Sequence, residues 1–202
     1  MRLRSLFTVF AVASSLGLAV SCSNDSPTTP PATSPTHAGG ANTTILDNPI
    51  TIIPLQRTSP LATNEVVQKR IGIFGGMLVL PNSGLTVVVP ALAVTSPVTI
   101  TVTALAGSNV AYEFEPHGLQ FLAPVVMTQD LSGTEARSGG TIDPLLLNLG
   151  YFPNSSNITS VTELLSLQLN LPLQTATGLI WHFSGYVLAT GRADENPPGD
   201  GQ

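Results

Sequence analysis

The sequence predicts an all-β chain: an antiparallel β-sandwich of about eight strands, preceded by a signal peptide and a disordered tether. Two observations lead to this fold class. Short runs of Val, Ile, Leu and Thr alternate with Gly, Pro and Asn between residues 71 and 190, which is typical of sandwiches and small barrels. No stretch sustains the 3.6-residue period of an amphipathic helix, so we expect little helix.

Composition divides the chain into four parts. Residues 1–21 are predicted to be a lipoprotein signal peptide, 22–47 a Ser/Thr/Pro-rich tether, 48–190 the β-sandwich and 191–202 a disordered tail. Residues 23–44 contain no aromatic residue and no Val, Leu or Ile, and the apolar positions begin only at Ile45. Because such a segment cannot bury enough apolar surface to offset its loss of conformational entropy, we expect the tether to be disordered.

The first part has the organisation of an export signal. Met1-Arg-Leu-Arg4 is a short basic region, and residues 5–20 are uncharged and mostly apolar. That apolar segment suits a signal peptide and is short for a transmembrane helix. The only cysteine of the chain, Cys22, follows after Ser21. The sequence Leu18-Ala-Val-Ser-Cys22 resembles the lipobox of bacterial lipoproteins.

The lipobox resemblance implies that Cys22 is the lipidation site. In that family the chain is cut before the cysteine, the thiol is acylated, and the acyl chains hold the mature protein on a membrane. Ser23 follows the cysteine, where an Asp would signal retention at the inner membrane. We therefore expect a lipid-anchored protein of the bacterial cell envelope, located at the outer membrane if the source has two membranes. The alternative is a plain secretory signal with an incidental cysteine.

Eight runs are predicted to be strands from their composition and the turns between them. They are 73–80, 85–89, 97–105, 110–115, 124–131, 145–152, 165–173 and 181–189. Upstream of them, Ile50, Ile52 and Ile53 are expected to add an edge strand, whose length Pro49 and Pro54 limit.

Two of these runs alternate with a period of two. Val and Ile alternate with Thr in 98–103, and five leucines alternate with Ser, Gln, Asn and Pro in 165–173. A period of two places one set of side chains on each face of a strand. We therefore expect the threonines to face outward, and Leu167 and Leu169 to lie in the core between the sheets.

Two segments resemble motifs of the ZU-five domain, a module known from ankyrins, netrin receptors and zonula-occludens scaffolds. The first is Gly75-Gly-Met-Leu-Val-Leu-Pro-Asn-Ser-Gly84, followed by Leu-Thr-Val-Val-Val-Pro90. The second is Tyr112-Glu-Phe-Glu-Pro-His-Gly-Leu-Gln-Phe121, followed by Pro124-Val125. In addition, His182-Phe-Ser-Gly-Tyr186 is similar to a closing strand of bacterial members.

The ZU-five resemblance implies a non-enzymatic β-sandwich that is used for protein contacts. The residues of its motifs have structural roles by themselves, because glycine and proline permit turns, bulges and close approach of strands. The positions to which we assign such roles are Gly75, Gly76, Pro81, Gly84, Pro90, Pro116, Gly118, Phe121 and Pro124.

Charge and cysteine content exclude several classes of function. The chain has seven basic and twelve acidic residues, a net charge of −5, so it lacks the basic patch that a nucleic-acid partner requires. A single cysteine permits neither a disulfide framework nor a cysteine-based zinc cluster. No cofactor is expected. The predicted partners are the membrane, through the lipid anchor, and a protein that the sequence does not identify.

A small envelope hydrolase or metal-binding protein is the alternative function. Glu113 and Glu115 share one strand face about 7 Å apart, a spacing that an inverting glycosidase pair would have. His117 and His182 are possible metal ligands together with a carboxylate. Convergence of these four residues around a pocket would support this alternative, and scattered positions the non-catalytic module. Carriage of an apolar ligand between the sheets is a third possibility.

Overall fold

A computed structural model describes residues 43–193, and it confirms the predicted all-β antiparallel fold. The predicted signal peptide, Cys22, most of the tether and the end of the tail lie outside the described residues. Within them there are fourteen strands: β1 Thr43–Pro54, β2 Gln56–Leu61, β3 Glu65–Ile71, β4 Gly76–Leu80, β5 Leu85–Val89, β6 Val98–Ala104, β7 Gly107–Asn109, β8 Ala111–Glu115, β9 Gln120–Asp130, β10 Asn148–Phe152, β11 Ser160–Ser166, β12 Gln168–Asn170, β13 Thr175–His182 and β14 Gly185–Arg192.

Helix is limited, among the described residues, to single 3-10 turns at Pro144–Leu146 and Ser155–Asn157. No helix in this part of the chain is long and apolar enough to cross a membrane.

Two sheets enclose the main core. A seven-stranded sheet has the order β1-β11-β10-β14-β8-β6-β3, and a five-stranded sheet has the order β12-β13-β9-β5-β4. Buried side chains from both sheets form one cluster, for example Phe114 and Tyr186 from the larger sheet with Val87 and Met127 from the smaller one. This arrangement is the predicted sandwich. β2 and β7 pair in a separate two-stranded sheet.

The predicted hairpin between the first two runs is confirmed as β4 and β5, paired from Gly76↔Val89 to Leu80↔Leu85. Its turn ends at Gly84, whose φ of 73° favours glycine. Gly75 precedes the hairpin with a φ of 69°, and a Cβ there would lie 2.2 Å from the carbonyl oxygen of Val89. The backbone conformation at Gly75 and Gly84 therefore requires glycine at both positions.

The alternation in 98–103 also has the predicted orientation. Ile100 and Val102 of β6 are fully buried in the main core, whereas Thr99 is exposed and Thr101 and Thr103 are half-buried. The Thr101 hydroxyl accepts a hydrogen bond from Gln68 of the neighbouring edge strand at 3.0 Å.

The alternating leucines do not form one strand, which corrects the prediction for 165–173. The chain leaves the larger sheet at the end of β11 and enters the smaller sheet as β12. Leu165 is buried, Leu167 and Leu169 are half-buried against the main core, and Gln168 is exposed. Leu171 and Leu173 are exposed in the turn that leads into β13. The inward register was correct, but alternation does not tell which sheet a residue joins.

The run predicted at 181–189 is likewise divided between the sheets. β13 ends at His182 in the smaller sheet, and β14 begins at Gly185 in the larger one.

Two further differences concern the boundaries of the domain. β1 begins at Thr43, because Thr43–Ile45 pair with Leu165–Glu163, and β14 extends to Arg192, which pairs with Ile52. The predicted start at 48 and end at 190 both fall inside strands.

β1 builds a second core. It pairs with β11 through its first part and with β14 through its last part, so β1, β11, β10 and β14 close on one another. Ile52 of β1 packs there with Phe152, Val161 and Val187. β14 is consequently buried on both faces, which is why its sequence is apolar without alternation.

Two of the strands absent from the prediction, β2 and β3, are polar. β2 and β3 carry Arg57, Glu65, Lys69 and Arg70, and most of their side chains are exposed or half-buried. Edge and peripheral strands keep little apolar periodicity, so their sequences resemble loops.

Candidate functional site

The four residues of the alternative hypothesis lie around the ends of β8 and β13. Glu113 and Glu115 share the face of β8 opposite the buried Phe114, as predicted, with Glu113 half-buried and Glu115 exposed. His117 is exposed in the loop after β8, and its Nδ1 lies 3.4 Å from the Ser184 hydroxyl. These three residues are thus at the surface.

His182 instead belongs to a buried cluster with residues that the sequence did not identify. Its Nε2 lies 3.5 Å from Oε2 of Glu163 on β11. Its ring packs edge-to-face on Tyr151, with centroids 5.0 Å apart. The Tyr186 hydroxyl donates to the His182 carbonyl oxygen at 2.8 Å and lies 3.4 Å from His182 Nδ1.

The Glu163–His182–Tyr186 chain has the residue types of a proton relay, and it lies in a largely buried position. Tyr186 is fully buried. Burial raises the pKa of Tyr186 well above its ordinary value of 10, and the charges of Glu163 and Tyr151 act in the same direction. The phenol therefore stays protonated and donates to a backbone carbonyl.

The structure does not assemble a metal centre from these residues. Within residues 43–193, no three His, Cys, Asp or Glu side chains come close enough together to hold a metal ion. His182 faces Glu163, His117 contacts Ser184, and the two β8 carboxylates face away from the core. The four residues of the alternative hypothesis are therefore not gathered around one pocket.

A second buried polar cluster centres on Arg57 of β2, which is 6% exposed. Its Nη1 donates to the carbonyl oxygens of Leu105 and Gly107, each at 3.3 Å, and to that of Asn109. Its Nε and Nη2 are buried without a hydrogen-bond partner among the described residues. The guanidinium carbon lies 5.7 Å from the centroid of the Tyr112 ring, a cation–π distance that favours the buried charge.

Tyr112 connects that arginine to the β4–β5 turn. Its hydroxyl donates to the Ser83 carbonyl oxygen at 3.1 Å and to the side-chain oxygen of Gln129. Gln129 in turn donates to the Ser83 carbonyl oxygen at 2.9 Å. Burial raises the pKa of Tyr112, and the charge of Arg57 opposes that increase without cancelling it. The network joins β8 of the larger sheet to β9 of the smaller one.

Glu65 holds the other side of the same turn. Its carboxylate accepts hydrogen bonds from the backbone and side-chain nitrogens of Asn82, both at 3.0 Å, and from the Ser83 backbone nitrogen at 2.8 Å. Partial burial acts to raise the pKa of Glu65, but these hydrogen bonds outweigh it and leave the pKa below its ordinary value.

Several pockets lie at loops or between strand residues in the described part of the chain. One of about 510 Å³ is lined by residues of the 131–144 loop together with Leu171 and Gln174. One of about 490 Å³ includes Ile52, Leu164 and Arg192, and a polar one of about 200 Å³ includes Arg57, Ser83 and Asp130. None of these three contains Glu113, Glu115, His117 or His182.

The second ZU-five-like segment forms a turn and a buried strand start. Phe121 is buried, with its ring centroid 4.6 Å from that of Phe183, and Leu119 packs against the main core. Pro116 follows a cis peptide bond, and Gly118 donates from its nitrogen to the Phe183 carbonyl oxygen at 2.8 Å.

No protein-family model matches the chain, and no curated protein is significantly similar to it.

Proposed function

We propose that this chain is a lipid-anchored protein of the bacterial cell envelope, whose β-sandwich acts as a non-catalytic protein-binding or structural module of ZU-five-like type. The anchor is inferred from the basic start, the apolar segment and the single cysteine at position 22. The module is inferred from the two ZU-five-like motifs and from the sandwich in which they lie.

One observation supports the non-catalytic interpretation above the alternative. The buried His182 is engaged by Glu163, Tyr151 and Tyr186, whereas Glu113, Glu115 and His117 lie at the surface. A hydrolase or a metal site would need these side chains to converge where a substrate or ion can reach them.

The anchor is tested by replacing Cys22 with Ser. We expect the wild-type protein to partition into detergent and to incorporate labelled fatty acid, and Cys22→Ser to do neither. Ser23→Ala is the matched control and should behave as wild type. In a host with two membranes, fractionation should place the wild type in the outer membrane. A Cys22→Ser protein that stays in the detergent phase would show that another segment holds the membrane.

The alternative is tested by calorimetric titration of the purified chain with Zn²⁺. We expect no stoichiometric binding. A site of defined stoichiometry that is lost in both His117→Ala and Glu115→Gln would instead favour the metal-binding function.

A further inference from the structure

Three neighbouring segments at one end of the sandwich expose apolar side chains. The loop between β3 and β4 carries Ile73 and Phe74, which are 44% and 89% exposed. Leu92, after β5, and Leu122, near the start of β9, are each 70% exposed. We name these four residues the apolar tip.

Backbone hydrogen bonds connect the segments that carry the apolar tip. The Leu92 nitrogen donates to the Ile73 carbonyl oxygen at 2.7 Å, and the Leu122 nitrogen donates to the Ala93 carbonyl oxygen at 2.9 Å. Leu92 has a φ of 64°, a conformation that is costly for a leucine. The fold therefore holds a strained residue in place while its side chain gains little burial in return.

The apolar tip contains no charged residue. The sequence has no Asp, Glu, Lys or Arg between Arg70 and Glu113, and none between Glu115 and Asp130. The nearest charged residues along the chain are Lys69 and Arg70 on one side and Glu113 and Glu115 on the other, so their charges balance. On the outer face of the smaller sheet, Met77 and Val88 are paired and also exposed.

We propose that the apolar tip inserts into the lipid bilayer that carries the anchor. Lipid accepts isolated protruding apolar side chains without a complementary shape, but it requires backbone polar groups to be bonded within the protein. Three of the nitrogens at the tip, those of Gly75, Leu92 and Leu122, donate to loop carbonyls and satisfy part of this condition. A protein partner would instead need an interface of about 1,000 Å² with polar groups at its rim.

This proposal depends on one part of the proposed function, which is the lipid anchor at Cys22. Residues 23–42 separate that cysteine from β1 and span on the order of 70 Å at most when fully extended. A domain tethered within that distance experiences a high local concentration of lipid, which strengthens the docking of a tip that also binds lipid by itself.

The test uses the chain that begins at Ser23, which contains both cores and lacks the anchoring cysteine. Its sedimentation is measured with vesicles of phosphatidylcholine and with vesicles of phosphatidylethanolamine and phosphatidylglycerol. Because the charges near the tip balance, we expect similar binding to both and little loss in high salt. Phe74→Ser and Leu92→Asn should each weaken binding about tenfold, since each removes a large apolar side chain from the lipid.

Leu173→Ser is the matched control, because Leu173 is 69% exposed in the turn before β13, away from the tip; it should bind as wild type. A second measurement uses tryptophan fluorescence. Trp181 is the single tryptophan, so Trp181→Phe combined with Phe74→Trp puts the only indole at the tip, and its emission should shift to the blue when vesicles are added.

Absence of vesicle binding by the wild-type chain, or equal binding by Phe74→Ser, would overturn the insertion. If the wild-type chain dimerises in sedimentation velocity and Phe74→Ser is a monomer that binds vesicles no worse, the surface joins two copies instead. The two proposals fail separately. If Cys22 is not lipidated, the detergent partition and fractionation of the intact protein show it. If the tip does not bind lipid, the vesicle assay with the chain that begins at Ser23 shows it.

Discussion

Nε2 of His182 lies 3.5 Å from Oε2 of Glu163, and this contact joins the last residue of β13 in the five-stranded sheet to β11 in the seven-stranded sheet. The two side chains are 9% and 14% exposed. The contact lies beside the rings of Tyr151 and Tyr186. The contact links the two sheets of the sandwich. His182 there both packs against the Tyr151 ring and accepts a hydrogen bond from the Tyr186 hydroxyl at its carbonyl oxygen.

We expect the packing of the His182 ring to matter more than the charge of Glu163. His182→Ala should lower the free energy of unfolding by about 2–4 kcal/mol, because it leaves a cavity beside Tyr151 and removes the partner of Glu163. Glu163→Gln keeps the shape and should cost no more than about 1 kcal/mol. Urea unfolding measures both. An equal or larger loss in Glu163→Gln would show that the ion pair dominates.

The leucines around the sheet crossing should differ in their contribution to stability. Leu165→Ala should cost about 2–5 kcal/mol because its side chain is buried. Leu167→Ala and Leu169→Ala should each cost about 1–2 kcal/mol, since both are half-buried. Gln168→Ala, on the exposed side, should change stability by no more than about 0.5 kcal/mol. A large loss in Gln168→Ala would contradict the register of β12.

Gly185 should tolerate no side chain. A Cβ at this position of β14 would lie 2.0 Å from Cε2 of the buried Phe152, so Gly185→Ala should destabilise the domain by about 3 kcal/mol or more. Gly191→Ala in the same strand is the control, because a Cβ there meets nothing within 4 Å. Thermal melting compares the two. Phe152→Leu in the Gly185→Ala background should recover part of the loss, which a backbone effect alone would not permit.

The hydrogen bonds to Glu65 predict a dependence of stability on acid pH. The pKa of Glu65 is lower in the folded protein than its ordinary value of 4.5. The carboxylate therefore stabilises the fold at pH values above about 4.5, and this contribution is lost as the pH falls through the lower folded pKa. In Glu65→Gln, stability at neutral pH should decrease and its loss on acidification should become shallower.

Urea midpoints measured from neutral to acid pH test this dependence. Asn82→Ala keeps the backbone donor and removes one side-chain donor, so its acid slope should lie between those of the wild type and Glu65→Gln. An unchanged slope in Glu65→Gln would mean that another group causes the acid loss.

Most side-chain contacts of the candidate site could not be predicted from the sequence. The sequence indicates His182 as a possible metal ligand, but its partner Glu163 lies on a strand of the other sheet. The Arg57–Tyr112–Gln129 network likewise joins three strands that no local motif connects. Such contacts form only when distant segments pack, and neither spacing nor periodicity records them. The positions of Glu113 and Glu115 on one face, by contrast, follow from strand geometry alone.

The sequence by itself determined the fold class, the β4–β5 hairpin and the inward face of β6, because turn residues and a period of two act between near neighbours. Tertiary structure alone decided which sheet each run joins. β11 and β12 share one leucine alternation yet belong to opposite sheets, and β1 is drawn into the domain by pairing with β11 and β14. The physical reason is that alternation specifies only which face of a strand is apolar, whereas the choice of partner depends on backbone hydrogen bonds and on the burial that the whole assembly makes available.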